Sequence, residues 1–287
     1  GLVAPDSDNN PWNYKFTWNP RNVVMAGNGV SQFIKNGRYK YIPYHRLFDR
    51  AFNRKILGYG DFEVYANRDS LKYRSIYDLK DIPSMFRGTI RRPGFSKAWN
   101  VFVRLGMTED NYTLESSENM TYRQFLNSFL RYEPNVPAEI KLQEYCSNAA
   151  DPVVMEKLKW LGIFDERKIG LKNATPAQIL QQLLEERWSM DPQDKDMIVM
   201  QHEFKYLTDG VEKMIVSAMA VIGKNQTETA MAITVGLPLA IATKLLMLGK
   251  FNHTGVILPT EKQMYEPILD ELSTFGITFE ENEYLIG

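Results

Sequence analysis

The chain has 287 residues, of which 44% are hydrophobic and 24% are charged, so its composition is that of an ordinary globular protein. Its 34 basic and 35 acidic residues give a formal net charge of -1. This balance argues against a nucleic-acid-binding protein, because such proteins usually carry a strong basic excess. The single cysteine, Cys146, cannot form an internal disulfide. We therefore expect a reducing compartment, the cytoplasm.

The first third of the chain is predicted to mix short helices with strands. Its patterns predict, in chain order, a short helix within 16–29, a helix end and then a strand within 32–44, strands at 62–66 and 86–91, and a helix at 95–105. Pro20 fits the first turn of the first helix, and Asn36-Gly37 is a typical turn pair.

Residues 108–189 are predicted to form an all-helical block. Several helix starts there carry a side chain that can accept a hydrogen bond from the first turn of the helix. Thr121 and Gln124 have the spacing of a capping box. Asp151-Pro152 and Thr175-Pro176 each place a proline directly after the cap residue, where its missing N–H has no cost.

The last third is predicted to begin with a hairpin. An alternating strand at 196–206, a turn at 208–210 and a second strand at 213–222 have hairpin spacing. The apolar segment 227–248 predicts a buried or half-buried helix broken near Pro238. Polar residues interrupt this segment, so we do not interpret it as a membrane span. A final helix is expected at 260–275.

These elements together predict an α+β fold. Residues 1–107 and 190–225 are expected to form one α/β substrate-binding domain with a mixed sheet. Residues 108–189 are expected to be an all-helical insertion into that domain, and residues 226–287 are expected to be C-terminal segments.

The sequence offers no pattern for a metal or a nucleotide. His45, His202 and His253 are far apart and lack the spacing of metal ligands. Cys146 has no histidine motif nearby that would activate it as a nucleophile. Gly27-Asn-Gly29 lacks the third glycine of a dinucleotide-binding fingerprint. We therefore expect no metal site and no cofactor-binding residues in this chain.

Arginine is concentrated in the stretch RGTIRRPG, residues 87–94. Arg68 and Arg91 each stand near the end of a predicted strand, beside residues that break regular structure. Strand ends often line ligand sites, and arginine binds carboxylates through two parallel hydrogen bonds. Both residues are therefore candidate carboxylate ligands. The alternative is surface ion pairing, for which the available acids are Asp69, Asp78 and Asp81.

Several segments, taken in order, resemble the saccharopine dehydrogenase family of the L-glutamate-forming, saccharopine reductase type. The segments are PWNYKFTW at 11–18, NRDS at 67–70, FRGTIR at 86–91, DMIVMQH at 196–202, TVGLP at 234–238 and GVILP at 255–259. The resemblance implies an α/β substrate domain of the glyceraldehyde-3-phosphate-dehydrogenase C-terminal type, a helical domain, and a Rossmann domain for NAD(P) ahead of Gly1. Residues 226–287 would pack back toward that cofactor domain. Because the chain does not begin with methionine, we expect it to be part of a longer protein.

In this family, glutamate and 2-aminoadipate semialdehyde join as an imine, which a hydride from NAD(P) reduces to saccharopine. The resemblance implies substrate contacts by Arg68, Thr89, Ile90, Arg91 and the pocket aromatic Trp18, with Asn67, Arg87 and Gly88 as weaker candidates. The acid–base residues stay unknown, and the chain alone is expected to be catalytically inactive. No nucleic-acid or membrane partner is expected, and a homodimer is compatible with the sequence.

Two alternatives remain at this level. One is a related imine-reducing dehydrogenase, such as the carboxynorspermidine type, which would also bind carboxylates through arginine. The other is a non-catalytic ligand-binding module that keeps the same fold. The sequence does not distinguish NAD from NADP, because the discriminating residue would lie in the cofactor domain.

Overall fold

The structure, a computed structural model, describes residues 1–56, 58–252 and 254–286. The chain divides into two compact units. The terminal unit comprises Gly1–Asp8, Ile56–Gly60 and Met190–Gly287, and the central unit comprises Asn9–Lys55 and Asp61–Ser189. Each unit has its own cluster of buried apolar side chains.

The strands, in chain order, are β1 (Leu2–Val3), β2 (Val30–Lys35), β3 (Arg38–Pro43), β4 (Phe52–Ile56), β5 (Gly60–Ala66), β6 (Gly88–Arg91), β7 (Asp196–Thr208), β8 (Val211–Ile222) and β9 (Glu280–Leu285). The α-helices are α1 (Pro20–Val24), α2 (Tyr44–Leu47), α3 (Tyr73–Ile76), α4 (Phe95–Leu105), α5 (Tyr122–Asn127), α6 (Ala138–Tyr145), α7 (Pro152–Leu161), α8 (Pro176–Trp188), α9 (Ala230–Met247) and α10 (Lys262–Thr274).

The core of the central unit is built on aromatic side chains. Trp12, Tyr14, Phe95, Trp99 and Trp188 are all buried. The rings of Tyr14 and Trp188 meet edge to face with centroids 5.0 Å apart, and those of Trp12 and Trp188 do so at 5.1 Å. These side chains come from the start of the unit, from α4 and from the end of α8. The helical block and the strands before it therefore share one core.

Two sheets lie in the central unit. β2 and β3 form an antiparallel hairpin whose turn residues, Asn36 and Gly37, have φ of 49° and 72°, as a two-residue hairpin turn requires. β4, β5 and β6 form a three-stranded sheet in that order. The helix end predicted within 32–44 is wrong: residues up to Lys35 belong to β2, because they pair in register with β3 across this turn.

The predicted helix caps of the 108–189 block are confirmed. Thr121 and Gln124 form a capping box at the start of α5, and Thr175 begins a second one at the start of α8. The Asp151 side chain caps α7. Each cap satisfies backbone N–H groups that have no acceptor inside the helix.

The terminal unit contains a four-stranded sheet in the order β1-β7-β8-β9. β7 and β8 form the predicted hairpin, and the turn residues Asp209 and Gly210 both have positive φ. The core of this unit places sheet residues together with residues of α9 and α10, among them Ile198, Met219 and Ile241.

Helix α9 runs unbroken from Ala230 to Met247 with Pro238 inside it, so the predicted break is wrong. The proline removes one backbone hydrogen bond, and the turns on both sides remain helical. The expected burial is only partly met, because only Ala230, Ile241 and Leu245 of α9 are fully buried. By length and composition alone this helix could cross a membrane, with a mean hydropathy of 1.8, and most of its residues are partly or fully exposed.

The α+β fold class is confirmed, but the division of the chain differs from the predicted one. β7 and β8 group with α9 and α10, whereas the helical block groups with the strands that precede it. Within the described residues the strands form three separate sheets rather than one mixed sheet. The N-terminal flank contributes to the β7–β8 sheet through the two-residue β1.

Candidate functional site

The arginines predicted from the sequence lie on the β5–β6 pair and just beyond it. The two strands are antiparallel, with Tyr65 opposite Thr89 and Glu63 opposite Arg91. Arg91 is the last residue of β6, and Arg68 comes two residues after the end of β5. Antiparallel strands run in opposite directions, so their C-terminal ends lie at opposite ends of the pair. Arg68 and Arg91 therefore lie at opposite ends of the β5–β6 pair.

This arrangement corrects the prediction that Arg68 and Arg91 approach one point from neighbouring strand ends. Arg68 is five residues beyond Glu63, the partner of Arg91, so the backbones of the two arginines are separated by at most about 16 Å along the strand direction. The prediction used a rule for open parallel sheets, in which the carboxyl ends of strands share one edge.

Arg91 is enclosed by aromatic rings. Its side chain is 4% exposed, and its guanidinium carbon lies 5.2 Å from the ring centre of Tyr14, 5.3 Å from that of Phe95 and 5.9 Å from that of Tyr65. Nη1 donates to the backbone carbonyl of Ile90 at 3.1 Å. Among the described residues, Arg91 has no carboxylate partner, and its buried Nε has no acceptor.

The polar atoms beside Arg91 are also short of partners. The buried Tyr14 hydroxyl makes no hydrogen bond of good geometry within the described residues. Burial raises the pKa of Tyr14, while the Arg91 guanidinium opposes that rise. Burial lowers the pKa of Arg91, but the Tyr65 and Tyr14 phenols raise it, and the net direction is upward. The site therefore presents a fixed cation and a neutral phenol.

Glu63 fixes the turn that follows Arg91. Its carboxylate accepts hydrogen bonds from the backbone N–H groups of Gly94, at 2.5 Å, and Ser96, at 2.9 Å. Gly94 is the cap residue of α4, has φ of 84° and carries no side chain that could cap the helix. A carboxylate from β5 thus supplies the missing cap and anchors Phe95, whose ring contacts Arg91.

Arg68 stands in a different environment. Its side chain is exposed, and its backbone has φ of 47°. Two of the acids considered as alternative partners are engaged elsewhere: Asp69 accepts from the backbone N–H of Leu71, and Asp78 lies 3.9 Å from the amine of Lys80. No ion pair of Arg68 is found in the part of the chain that the structure describes.

The remaining predicted residues lie close to this pair of strands. Thr89 and Ile90 are half-buried in β6, and Asn67 is half-buried just after β5. Trp18 is 42% exposed, and its indole weakly opposes the rise that burial causes in the pKa of Tyr14. Substrate contact by these four residues stays a prediction.

Three residues of this environment were missed at the level of the sequence, namely Tyr14, Tyr65 and Phe95. Tyr14 stands inside the PWNYKFTW segment, four residues before Trp18. Tyr65 shares a strand face with Glu63, because side chains two residues apart point to the same side. These signals mark faces and segments, but burial against Arg91 depends on tertiary packing.

The described residues show no metal site. Among residues 1–56, 58–252 and 254–286, no three His, Cys, Asp or Glu side chains group as metal ligands. His253 lies outside the described residues. Cys146 is buried.

Gly27, which was considered for a dinucleotide-binding loop, lies against another side chain. A Cβ added to Gly27 would come within 2.4 Å of Leu47 Cδ2, so this glycine has a packing role.

Comparison with known proteins identifies the family. The family model for the saccharopine dehydrogenase C-terminal domain matches residues 1–277. The chain belongs to the saccharopine dehydrogenase family. This confirms the resemblance that the sequence segments indicated.

Individual relatives agree with the family match. The chain is 32% identical over 287 residues to the mitochondrial alpha-aminoadipic semialdehyde synthase of Mus musculus, with 97% of this chain and 31% of that protein covered. It is 28% identical over 290 residues to the NADP(+), L-glutamate-forming saccharopine dehydrogenase of Schizosaccharomyces pombe, with 98% of this chain and 64% of that protein covered.

A solved structure supports the fold. The apo saccharopine dehydrogenase (L-Glu forming) of Saccharomyces cerevisiae matches the chain with a TM-score of 0.87 and 28% sequence identity. The match covers 99% of this chain and 65% of that one. The chain thus spans less than two thirds of the length of these relatives.

Proposed function

We propose that this chain is the substrate-binding part of an NAD(P)-dependent saccharopine dehydrogenase. The enzyme would interconvert saccharopine with glutamate and 2-aminoadipate semialdehyde in lysine metabolism. The names of the Schizosaccharomyces pombe and Saccharomyces cerevisiae relatives, which are L-glutamate-forming saccharopine dehydrogenases using NADP(+), support this reaction.

The buried guanidinium of Arg91 carries the proposal. It has no acid beside it in the described chain, and a buried donor without an acceptor costs about 1–3 kcal/mol. A substrate carboxylate would remove this penalty, because arginine binds carboxylates through two parallel hydrogen bonds. Saccharopine has three carboxylates, so it can supply this partner and others.

The placement of Arg68 suits the same ligand. Arg91 and Arg68 lie at opposite ends of the short β5–β6 pair, which suits a molecule that carries more than one carboxylate. Each long arginine side chain would reach inward to one carboxylate. The Thr89 hydroxyl would add a neutral hydrogen bond, and Trp18 would cover part of the methylene chain.

The cofactor does not fit the residues of this chain. NAD(P) supplies the hydride, but the described residues offer no glycine-rich phosphate loop. We place the cofactor and the acid–base groups in the portion of the relatives that lies outside the match, so the chain alone would be inactive. The exposed apolar side chains of α9, such as Val235 at 63% and Leu239 at 70% exposed, would pack against that portion.

A cytoplasmic location and a homodimer also stay proposals. The single cysteine is compatible with a reducing compartment. In the described part of the chain, β1 pairs only with Asp196 and Met197 of β7, so the outer edge of β7 beyond Met197 is open to a second copy.

The decisive test replaces Arg91 in the complete polypeptide. We expect Arg91→Gln to raise the KM for saccharopine about ten- to a hundredfold, because it removes a charge-assisted hydrogen bond worth about 1.5–3 kcal/mol. Arg91→Lys should recover part of the affinity, since it keeps the charge but loses the paired geometry. Steady-state kinetics with saccharopine would measure both effects.

Arg104→Gln is the matched control. Arg104 pairs with Asp49 at 2.8 Å near the surface, so its removal changes the net charge by the same amount without touching the site. Equal kinetics for Arg91→Gln, the control and the unchanged enzyme would contradict the proposal. Turnover of carboxynorspermidine precursors in place of saccharopine would favour the related dehydrogenase instead.

A further inference from the structure

Arg87 lies directly before β6, on the same side of the strand as Thr89 and Arg91. Its carbonyl accepts from the Asn67 N–H at 2.8 Å, which extends the β5–β6 pairing by one residue beyond Gly88. Side chains at alternate positions of a strand share a face. The side chains of Arg87, Thr89 and Arg91 therefore form a row on one face of the strand. Neighbouring members of this row are about 7 Å apart along the backbone, and the whole row spans about 13 Å.

The guanidinium of Arg87 is held in place without an acid. Its carbon lies 4.2 Å from the ring centre of the half-buried Tyr73. The backbone N–H of Arg87 donates to the buried Ser70 hydroxyl at 2.9 Å, which fixes the start of the side chain. Stacking on a ring uses the flat face of the guanidinium and leaves its N–H donors free at the edge. Across the described residues, Arg87 forms no ion pair.

The row of Arg87, Thr89 and Arg91 runs from a partly exposed end at Arg87 to a buried end at Arg91. Arg87 and Thr89 are half-buried, whereas Arg91 is 4% exposed and lies among Tyr14, Tyr65 and Phe95. An extended ligand could therefore enter beside Arg87 and place one end at Arg91. In saccharopine, about ten bonds separate the two outermost carboxyl carbons, which gives roughly 12 Å when the chain is extended.

We propose that Arg87 is a specificity-determining residue that binds the outer carboxylate of the substrate at the end opposite Arg91. This inference rests on the proposed function and assigns a third carboxylate ligand to the same site. Arg91 would hold the innermost carboxylate, Thr89 would contact the middle of the ligand, and Arg68 would be left for the remaining carboxylate.

The test uses the complete enzyme, saccharopine and two analogues. One analogue lacks the carboxylate of the lysyl arm, and the other lacks the outer carboxylate of the glutaryl arm. We expect Arg87→Gln to raise the KM for saccharopine about ten- to a hundredfold, with a much smaller change in kcat. Arg87→Gln should also lose the preference of the unchanged enzyme for saccharopine over one of the analogues. Arg91→Gln should lose the preference over the other analogue. Arg87→Lys should recover part of the affinity.

Arg38→Gln is the matched control, because Arg38 is exposed at the start of β3 and its replacement removes the same charge from the same unit. If Arg87→Gln behaves like this control, the inference is overturned while the proposed function stands. The inference is also overturned if both site variants lose discrimination against the same analogue. If the unchanged enzyme does not turn over saccharopine at all, the proposed function itself fails.

Discussion

Helices α8 and α9 begin in the same way and are buried very differently. Each has a threonine cap, Thr175 or Thr229, whose side chain accepts from the backbone of the first turn. α8 buries a continuous face that includes Leu183 and Trp188, although its composition is mixed. α9 is far more apolar, yet only Ala230, Ile241 and Leu245 of its side chains are buried. Burial therefore does not follow from composition alone, and the exposed apolar side chains of α9 are what the proposed packing against the rest of the enzyme would cover.

Core truncation should separate the two helices most strongly. We expect Leu183→Ala to reduce the free energy of unfolding of the central unit by about 2–5 kcal/mol, because it leaves a cavity in a closed core. Leu239→Ala in α9, made in this chain on its own, should change stability by no more than about 0.5 kcal/mol, because the side chain is 70% exposed there. Urea unfolding measures the first effect through tryptophan fluorescence, since all five tryptophans lie in the central unit.

The tryptophan-free terminal unit needs a different probe. Hydrogen exchange of α9 and β8 amides would report Leu239→Ala directly. A loss above about 2 kcal/mol there would show that α9 is packed as tightly as α8, and the comparison between the helices would collapse.

Cap removal should produce a smaller contrast. Thr175→Ala should cost about 1 kcal/mol, because it breaks the capping box with Gln178. Thr229→Ala should cost less, because the buried Asp196 carboxylate also accepts from two N–H groups at the start of α9, those of Ala230 and Met231. The same two probes, tryptophan fluorescence and hydrogen exchange, measure the pair.

Serine at each position is the control, since it keeps the accepting hydroxyl. Both serine variants should stay close to the starting stability. An equal cost for the two alanine variants would mean that Asp196 does not share the capping role.

Local sequence signals were sufficient for elements whose determinants are neighbours in the chain. α4 starts and ends at the predicted residues, the Thr121–Gln124 capping box and the Thr175 cap form, and the β7–β8 hairpin turns at Asp209-Gly210. The errors fall where distant segments decide. Residues 32–35 became a strand through pairing with β3, and α9 stayed continuous through Pro238. The division into units depends on a shared aromatic core, which periodicity does not reveal.

The candidate site shows the same limit. The sequence indicated Arg68 and Arg91 as ligands. Their placement at opposite ends of the β5–β6 pair follows from antiparallel pairing, which cannot be predicted from the sequences of such short strands. The sequence also could not show that Arg91 is buried among aromatic rings with no carboxylate beside it, because Tyr14 lies 77 residues away in the chain. Arg87 was only a weaker candidate in the sequence, which does not show that its guanidinium packs against the ring of Tyr73 in a different segment.

The smallest expected effect concerns pH and again separates the units. His202 of β7 keeps part of its ring exposed, but its centroid lies 5.6 Å from that of Phe279, and desolvation lowers its pKa below the ordinary value. The unfolded chain binds the proton more tightly, so the free energy of unfolding of the terminal unit should fall as pH drops below about 6.5 and should be independent of His202 above about pH 8.

His202→Gln should flatten this dependence, whereas His45→Gln in the central unit should leave it unchanged. Hydrogen exchange of β7 and β8 amides between about pH 5 and 8, corrected for intrinsic rates, measures it. An unaltered slope in His202→Gln would mean that another group of the terminal unit takes up the proton. The effect should be small, because solvent screens a partly exposed ring, and its confinement to the β7–β8 hairpin is what makes it informative.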